Sequence, residues 1–215
     1  MSNGTPFAGV LFCFMASIAE KLGRAVVGIA GLGGLGSSVA AALARSGVGK
    51  LIIADFDNVE QSNLNRQQFF IDQIGKSKID CSIENLRRIN PLVNVEGHKV
   101  TLDAENIPRI FAGVDCIAEC FDSAVAKQMI VETVLSKMNP VKIVSVSGIA
   151  GYGKSNEIQT RRVSSRLVLV GDGQRSTDTC KTLTAARVGV AAMHQANAII
   201  ELLVDEIKIS CGINK

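Results

Sequence analysis

The sequence predicts an α/β fold: a Rossmann-like, doubly wound, mostly parallel sheet with helices on both faces and an antiparallel extension toward the C-terminus. Three observations predict it. Short apolar runs alternate with helical patterns along the chain, the rhythm of strand–helix–strand units. The runs are apolar nearly throughout rather than at every second residue, as expected of strands covered on both faces. A glycine turn of G-x-G-x-x-G spacing joins the first run to the first helix, which is the context that gives that motif its meaning.

The elements follow in order. "AVVGIAG" (25–31) reads as a strand ending in glycines, and "SSVAAALARSG" (37–47) as a small-residue helix closed by Gly47. "KLIIAD" (50–55) is a second strand. "KIDCSIENLRRIN" (78–90) is an amphipathic helix stopped by Pro91. "NVEGHKV" (94–100) alternates as a third strand, "DCIAEC" (115–120) is a fourth, and "SAVAKQMIVETVLSKM" (123–138) is the helix after it. "VKIVSVSG" (141–148) is a fifth strand. The rhythm then breaks: "EIQTRRV" and "RLVLVGD" read as a hairpin or edge extension, and 184–207 as a long helix whose broad aliphatic face packs on the sheet or on a partner subunit.

The 215 residues suffice for one substantial core, and no repeat divides them. We expect one domain: an N-terminal helical segment (1–22), a nucleotide-binding core (23–148) and a C-terminal extension with the long helix (149–215). With 23 basic and 20 acidic residues, net charge +3 and no Lys/Arg run longer than two, nothing points to nucleic acid. The absence of Trp removes the usual stacking platform for single strands. "FAGVLFCFMASIA" (Phe7–Ala19) is too short to span a bilayer and has no basic residues before it; we expect a short amphipathic or buried helix and no membrane partner. Six scattered cysteines, none in a C-x-x-C pair, suggest a reducing cytosol and no zinc site. Cys116 and Cys120 read as core thiols.

The chemistry gathers at the ends of the predicted strands. Gly31, Gly33 and Gly36 carry the fingerprint. Such glycines permit a tight turn and let backbone N–H groups approach a phosphate at the positive end of a helix. Asp55 stands 24 residues after Gly31, where an acid can hold ribose hydroxyls. This much favours NAD over ATP. The stretch "DFDNVEQSNLNRQQFF" (Asp55–Phe70) turns the balance, because a dinucleotide oxidoreductase has no need of Arg66 and an amide cluster beyond the ribose acid. Asp57 closes the strand with Asp55, and Lys78 opens the next helix. Arg66 and Lys78 can reach two phosphates of one triphosphate, and Asp122 offers an oxygen ligand for Mg²⁺. All come from strand ends or the helix starts after them, which converge at the carboxyl edge of a parallel sheet. His98 and His194 are expected to be structural.

"GLGGLGS", "DFDNVEQSNLNRQ", "GKSKID" and "CFDS", in this order, closely resemble the ThiF/MoeB/HesA family, relatives of the ubiquitin-activating enzymes. The resemblance covers roughly Gly23 to Gly148. "SGIAGYGKSNEIQTRR", "GDGQ" and "AAMHQAN" resemble the short ThiF branch tied to thiamine biosynthesis. The resemblance implies that the chain binds ATP and adenylates the C-terminal glycine carboxylate of a ubiquitin-like, ThiS-like sulfur carrier protein, releasing pyrophosphate. It places Gly33 and Gly34 in the phosphate loop, Asp55 at the ribose, Arg66 and Lys78 on phosphates, Asp122 on magnesium as catalytic acid, and Asn63 and Gln67 on phosphates or in support of them. In this branch a cysteine before the last helix is linked to the carrier, and Cys180 stands at a similar place; the alternative is a loop cysteine without a role. The relatives' zinc cysteines are missing, and Arg24 is too near the first strand to stand for the N-terminal arginine that they send into a partner's site. A homodimer is expected, with the aliphatic face of 188–204 as its motive. The second function is activation of another carboxylate, as on a modified tRNA nucleoside or a peptide end. An oxidoreductase and a nucleotide-binding module without catalysis are the remaining readings.

Overall fold

In the computed structural model, which describes residues 18–175, 180 and 182–204, the chain enters through a helical segment at 18–24 and turns into strand β1 (Val26–Ala30). The remaining strands are β2 (Lys50–Asp55), β3 (Asn94–Lys99), β4 (Cys116–Glu119), β5 (Lys142–Val146), β6 (Gln159–Arg162) and β7 (Leu167–Gly171). They form one seven-stranded sheet of order β3-β2-β1-β4-β5-β7-β6. Every pairing is parallel except β6 with β7, so the expected antiparallel extension is an edge hairpin. Most of Phe7–Ala19, together with Cys13, Lys181, Cys211 and the end of the predicted last helix, lies outside the described residues.

The helices are α1 (Gly34–Arg45), α2 (Lys78–Ile89), the short α3 (Ile107–Ile110), α4 (Ala124–Lys137) and α5 (Ala185–Val204). Buried residues of α1, α2 and α5 share one core with one face of the sheet, while α3 and α4 cover the other face. The continuous apolar runs have their reason here. Val27 and Ile29 point into the first core and Ala30 into the second, all fully buried. Leu51 and Ile53 alternate with Ile52 and Ala54 in the same way on β2.

The chain winds outward from β1 through β2 to β3, then returns to place β4 on the other side of β1. Neighbouring loops after β1 and β4 therefore leave in opposite directions and open a crevice at their carboxyl ends. Helix α5 holds that region from below. Its Gln195 is fully buried and donates Nε2 to the carbonyls of Glu119 and Val144, both at 2.9 Å, just where the β4–β5 register ends. The aliphatic face of 188–204 is spent inside the molecule: Val188, Ala191, Ala192, Ala196, Ile199 and Leu202 are buried against α1 and the sheet. That corrects the expectation of an exposed patch, and with it the motive that patch offered for a homodimer.

Candidate nucleotide site

Three segments build the wall at the crevice. The first is the glycine turn. Gly31 has φ +93, a left-handed conformation that glycine adopts without penalty. A Cβ on Gly36 would stand 1.8 Å from the Gly31 carbonyl oxygen, so Gly36 is required for the close approach of helix to strand. It does not itself line the cavity. Gly33 has open space where a Cβ would stand, and no side chain caps α1 there. The amides of the first turn of α1 thus keep their donors for something in the crevice. Asp55 fastens the turn: its Oδ2 accepts from Leu32 N at 2.6 Å and its Oδ1 from Asp57 N at 2.8 Å.

The second segment is the polar stretch after β2. Two 3₁₀ turns, Gln61–Asn63 and Ile71–Gln73, fold it back over α1. Asn63 belongs to this turn rather than to the cavity. Its Oδ1 accepts from Glu60 N, and its carbonyl accepts from the amides of Arg66 and Gln67 at 3.1 and 3.0 Å. Asn63 does not line the cavity; of the two expected roles its geometry matches the supporting one, behind Arg66 and Gln67, which do line it. Gln67 is buried, and its Oε1 has no hydrogen-bond partner among the described residues. Arg66 donates Nη1 to the Ser62 carbonyl and to Asn65 Oδ1. Lys78, buried at the start of α2, forms an ion pair with Asp57.

The third segment follows β4. Asp122 is exposed on the cavity, and Ser123 caps α4 through Ala126 N. Together the segments enclose a cavity of about 600 Å³. Gly31, Gly33, Gly34, Asp55, Asp57, Arg66, Gln67, Lys78 and Asp122 all line it, so nine of the predicted residues meet at one place. Phe56, Val100, Leu102 and Phe121 add an apolar wall of the kind that accepts a flat ring. Lining groups that escaped the sequence reading include Lys127, Arg175 and the segment Ser147–Ala150.

The cavity's far wall is set by a buried ion pair. Arg187 donates to the carbonyls of Ala150, Gly153 and Lys154 and to Asp172 Oδ2. Burial opposes the charge on Asp172. The amides of Arg175 and Gln174 and the charges of Arg187 and Arg175 outweigh it and hold the carboxyl below its ordinary value.

Cys180, half-buried, lies outside the lining residues but beside the loop at Gly151, whose Cβ would meet its sulfur at 3.2 Å. Cys116 and Cys120 are core thiols, as expected; burial pushes Cys116 up to about 12 and raises Cys120 as well. His98 pairs with Glu96 on a strand, and His194 bonds Thr160, both away from the cavity. No group of three or more His, Cys, Asp or Glu able to hold a metal occurs among the described residues. Asp122 therefore fits a cation only if a bound ligand supplies other oxygens.

The comparisons with known proteins agree with this fold. The ThiF family profile matches residues 11–212. The chain belongs to the ThiF family. Within it, the chain is 39% identical over 135 residues to "Adenylyltransferase and sulfurtransferase uba4" of Aspergillus niger, a match covering 62% of this chain and 28% of the fungal protein. It is 36% identical over 152 residues to "Ubiquitin-like modifier-activating enzyme 5" of Xenopus laevis, covering 65% and 38%. The chain thus spans well under half the length of these curated ThiF relatives. Among solved structures, the tRNA N6-threonylcarbamoyladenosine dehydratase TcdA of E. coli, in complex with AMP, superposes with a TM-score of 0.81 at 18% identity, covering 93% of this chain and 94% of that one. E. coli MccB with ATP gives 0.69 at 22% identity, covering 94% and 64%. At such identities these likenesses are of fold.

Proposed function

We propose that the chain is an adenylyltransferase that uses ATP to activate the C-terminal glycine carboxylate of a ubiquitin-like, ThiS-like sulfur carrier protein in thiamine thiazole synthesis. One observation carries the reading: Arg66, Lys78 and the uncapped first turn of α1 meet in one cavity with Asp55 and Asp122. A nicotinamide dinucleotide has no use for that second cationic pole. The names of the curated relatives, an adenylyltransferase and a ubiquitin-like modifier-activating enzyme, support the reaction class.

In this reaction a carboxylate oxygen attacks the α-phosphorus, the bond from that phosphorus to the bridging oxygen breaks, and pyrophosphate leaves with its electron pair. The nucleophile is ionised at neutral pH, so no general base is needed, and neither histidine stands at the cavity. The obstacle is repulsion between two anions. Arg66, Lys78 and the α1 amides offset it, most of all as charge builds in the transition state. Asp122 would hold Mg²⁺, which when bound neutralises phosphate oxygens. Asp55, which lines the cavity, would orient the ribose. Gln67, with its unpartnered buried oxygen, is a further ligand contact, and Asp57 is the counterion that keeps Lys78 in place.

The proposal includes one domain over 1–215, a two-fold homodimer whose interface is not the buried face of α5, and a cytosolic location; no described helix is long and apolar enough to cross a membrane. Light scattering of the full chain tests the dimer: a 22.8 kDa particle at micromolar concentration refutes it. The decisive experiment is ATP–pyrophosphate exchange with carriers ending in Gly-Gly, set against a modified tRNA substrate. Exchange that requires the carrier supports the proposal. Exchange that requires tRNA moves the chain to activation of a nucleoside carboxylate, the alternative reading.

A further inference from the structure

Glu119 is the last residue of β4 and is fully buried. A carboxylate taken out of water needs partners for its oxygens, and Glu119 has four donors. Its Oε1 accepts from Phe121 N at 2.7 Å and Lys127 Nζ at 3.0 Å. Its Oε2 accepts from Ser145 Oγ at 2.6 Å, from Lys127 Nζ at 3.1 Å and from Val146 N at 3.4 Å. One carboxylate thus joins the end of β4, the end of β5, the 120–123 turn and the first turns of α4. Asp122 lies between the two points that Glu119 grips on that side: the amide one residue before it and the ammonium five residues after it. Lys127 itself lines the cavity.

We infer that Glu119, through its pair with Lys127, is a positioning residue for Asp122, fixing the turn that carries this carboxylate into the cavity. The inference rests on Asp122 acting in the proposed adenylation. Glu119 does not line the cavity, so it acts through others. A charge buried at this cost in a strand otherwise made of apolar residues is explained when it fixes a turn that has few other ties. Asp122 sits on that turn, and groups that must be held to within a fraction of an ångström depend on such support.

The test has two arms on the full-length protein. In the first, hydrogen exchange is followed by amide in Glu119→Gln. The Phe121 amide should exchange at least about 10-fold faster while the interior amides of β1 and β2 keep their protection. Unchanged exchange at Phe121 overturns the inference, and so does a uniform rise through the sheet, since that marks general loss of stability. In the second, ATP–pyrophosphate exchange is compared across a cycle of Glu119→Gln and Asp122→Ala. Glu119→Gln should lower kcat about 10-fold with KM for ATP nearly constant, and should cost less than about 2-fold when Asp122 is already Ala. Equal fold losses in both backgrounds show that Glu119 acts independently of Asp122 and overturn the inference. Should Glu119→Gln fail to fold, Lys127→Met reads the same turn from the other side of the pair with the same expectations. Ser145→Ala, which leaves both grips on the turn intact, should leave Phe121 exchange unchanged. An unmodified protein that performs no exchange with any carrier refutes the proposed function, while the amide arm still decides the inference.

Discussion

Nζ of Lys78 lies 2.7 Å from Oδ2 of Asp57: the buried cation of the cavity is held by a half-exposed acid that comes from the other end of the polar loop. A phosphate must share or displace that acid. Charge-assisted contacts of this type contribute about 1.5–3 kcal/mol. Lys78→Met should therefore weaken ATP binding by about 10-fold or more in titration calorimetry. ATP should raise the Tm of the unmodified chain and NAD should not; stabilisation by NAD alone would end the adenylation reading.

Asp122→Ala should lower pyrophosphate exchange by about 100-fold, the loss typical of one electrostatic contact to a transition state. ATP affinity should fall less, because the glycine turn, Arg66 and Lys78 are untouched. Full activity in this variant would place the acid elsewhere.

Two glycines of the turn should separate folding from binding. A Cβ at Gly36 meets a backbone carbonyl that cannot move aside, so Gly36→Ala should unfold the chain or lower its Tm steeply. Gly33 has negative φ and open space, so Gly33→Ala should keep the Tm. Its methyl group fills room that a phosphate needs, and ATP should no longer raise that Tm.

Asp172 gives a pH dependence. Its folded-state carboxyl titrates below the ordinary value of 3.8, so its contribution is complete above that value and is lost as the pH falls through the lower folded one. Asp172→Asn should therefore flatten the fall in Tm as the pH drops below about 4. At neutral pH, Arg187→Met should lower the Tm, because the carbonyls of Ala150, Gly153 and Lys154 lose their donor and Asp172 keeps only the two amides and the more distant Arg175. Equal acid sensitivity in Asp172→Asn and the unmodified chain would assign the effect to another group.

Among the described residues, Cys180 is the cysteine that is not buried. Cys180→Ser should keep pyrophosphate exchange and lose any reductant-sensitive species joined to the carrier, measured by mass spectrometry without reductant. Survival of that species in the variant would transfer the role to another cysteine. No such species in either protein would leave Cys180 a loop residue.

Where the sequence was legible, one local pattern decided the matter. β2 ends at Asp55, as read, because an apolar run closes on an acid. Helix α1 starts three residues before the predicted Ser37, since Gly34 and Gly36 argue for loop by propensity while their packing against Arg66, Val188 and the Gly31 carbonyl demands helix. The four-residue α3 carries no period to detect. In the site, Asp55, Lys78 and Asp122 were visible because each stands near a strand end or helix start, and Arg66 because it is the one cation in the amide-rich stretch Asp55–Phe70. Lys127 and Glu119 were not, because the partner that explains Glu119 from across the sheet is Ser145, 26 residues away. An acid in the apolar run "DCIAEC" was the available signal. Arg187, a cation on the mostly apolar buried face of α5, was a similar one.

Helix α5 has a consequence for how the chain is made. It is the last described element, yet Val188 and Ile199 fill the core that Leu35, Val39 and Leu43 of α1 also form, and Gln195 closes the β4–β5 gap. During synthesis the glycine turn, Asp55, Arg66, Lys78 and Asp122 all emerge before the helix that covers the apolar underside of the crevice. Until α5 arrives, the part of that face formed by β4 and β5 lacks its cover, and a nascent chain ending near Gly148 presents a sticky surface rather than a finished binding unit. Ribosome-bound chains of increasing length should gain ATP-dependent protease resistance only after α5 has cleared the exit, and a release point much earlier would mean that the first 148 residues fold unaided.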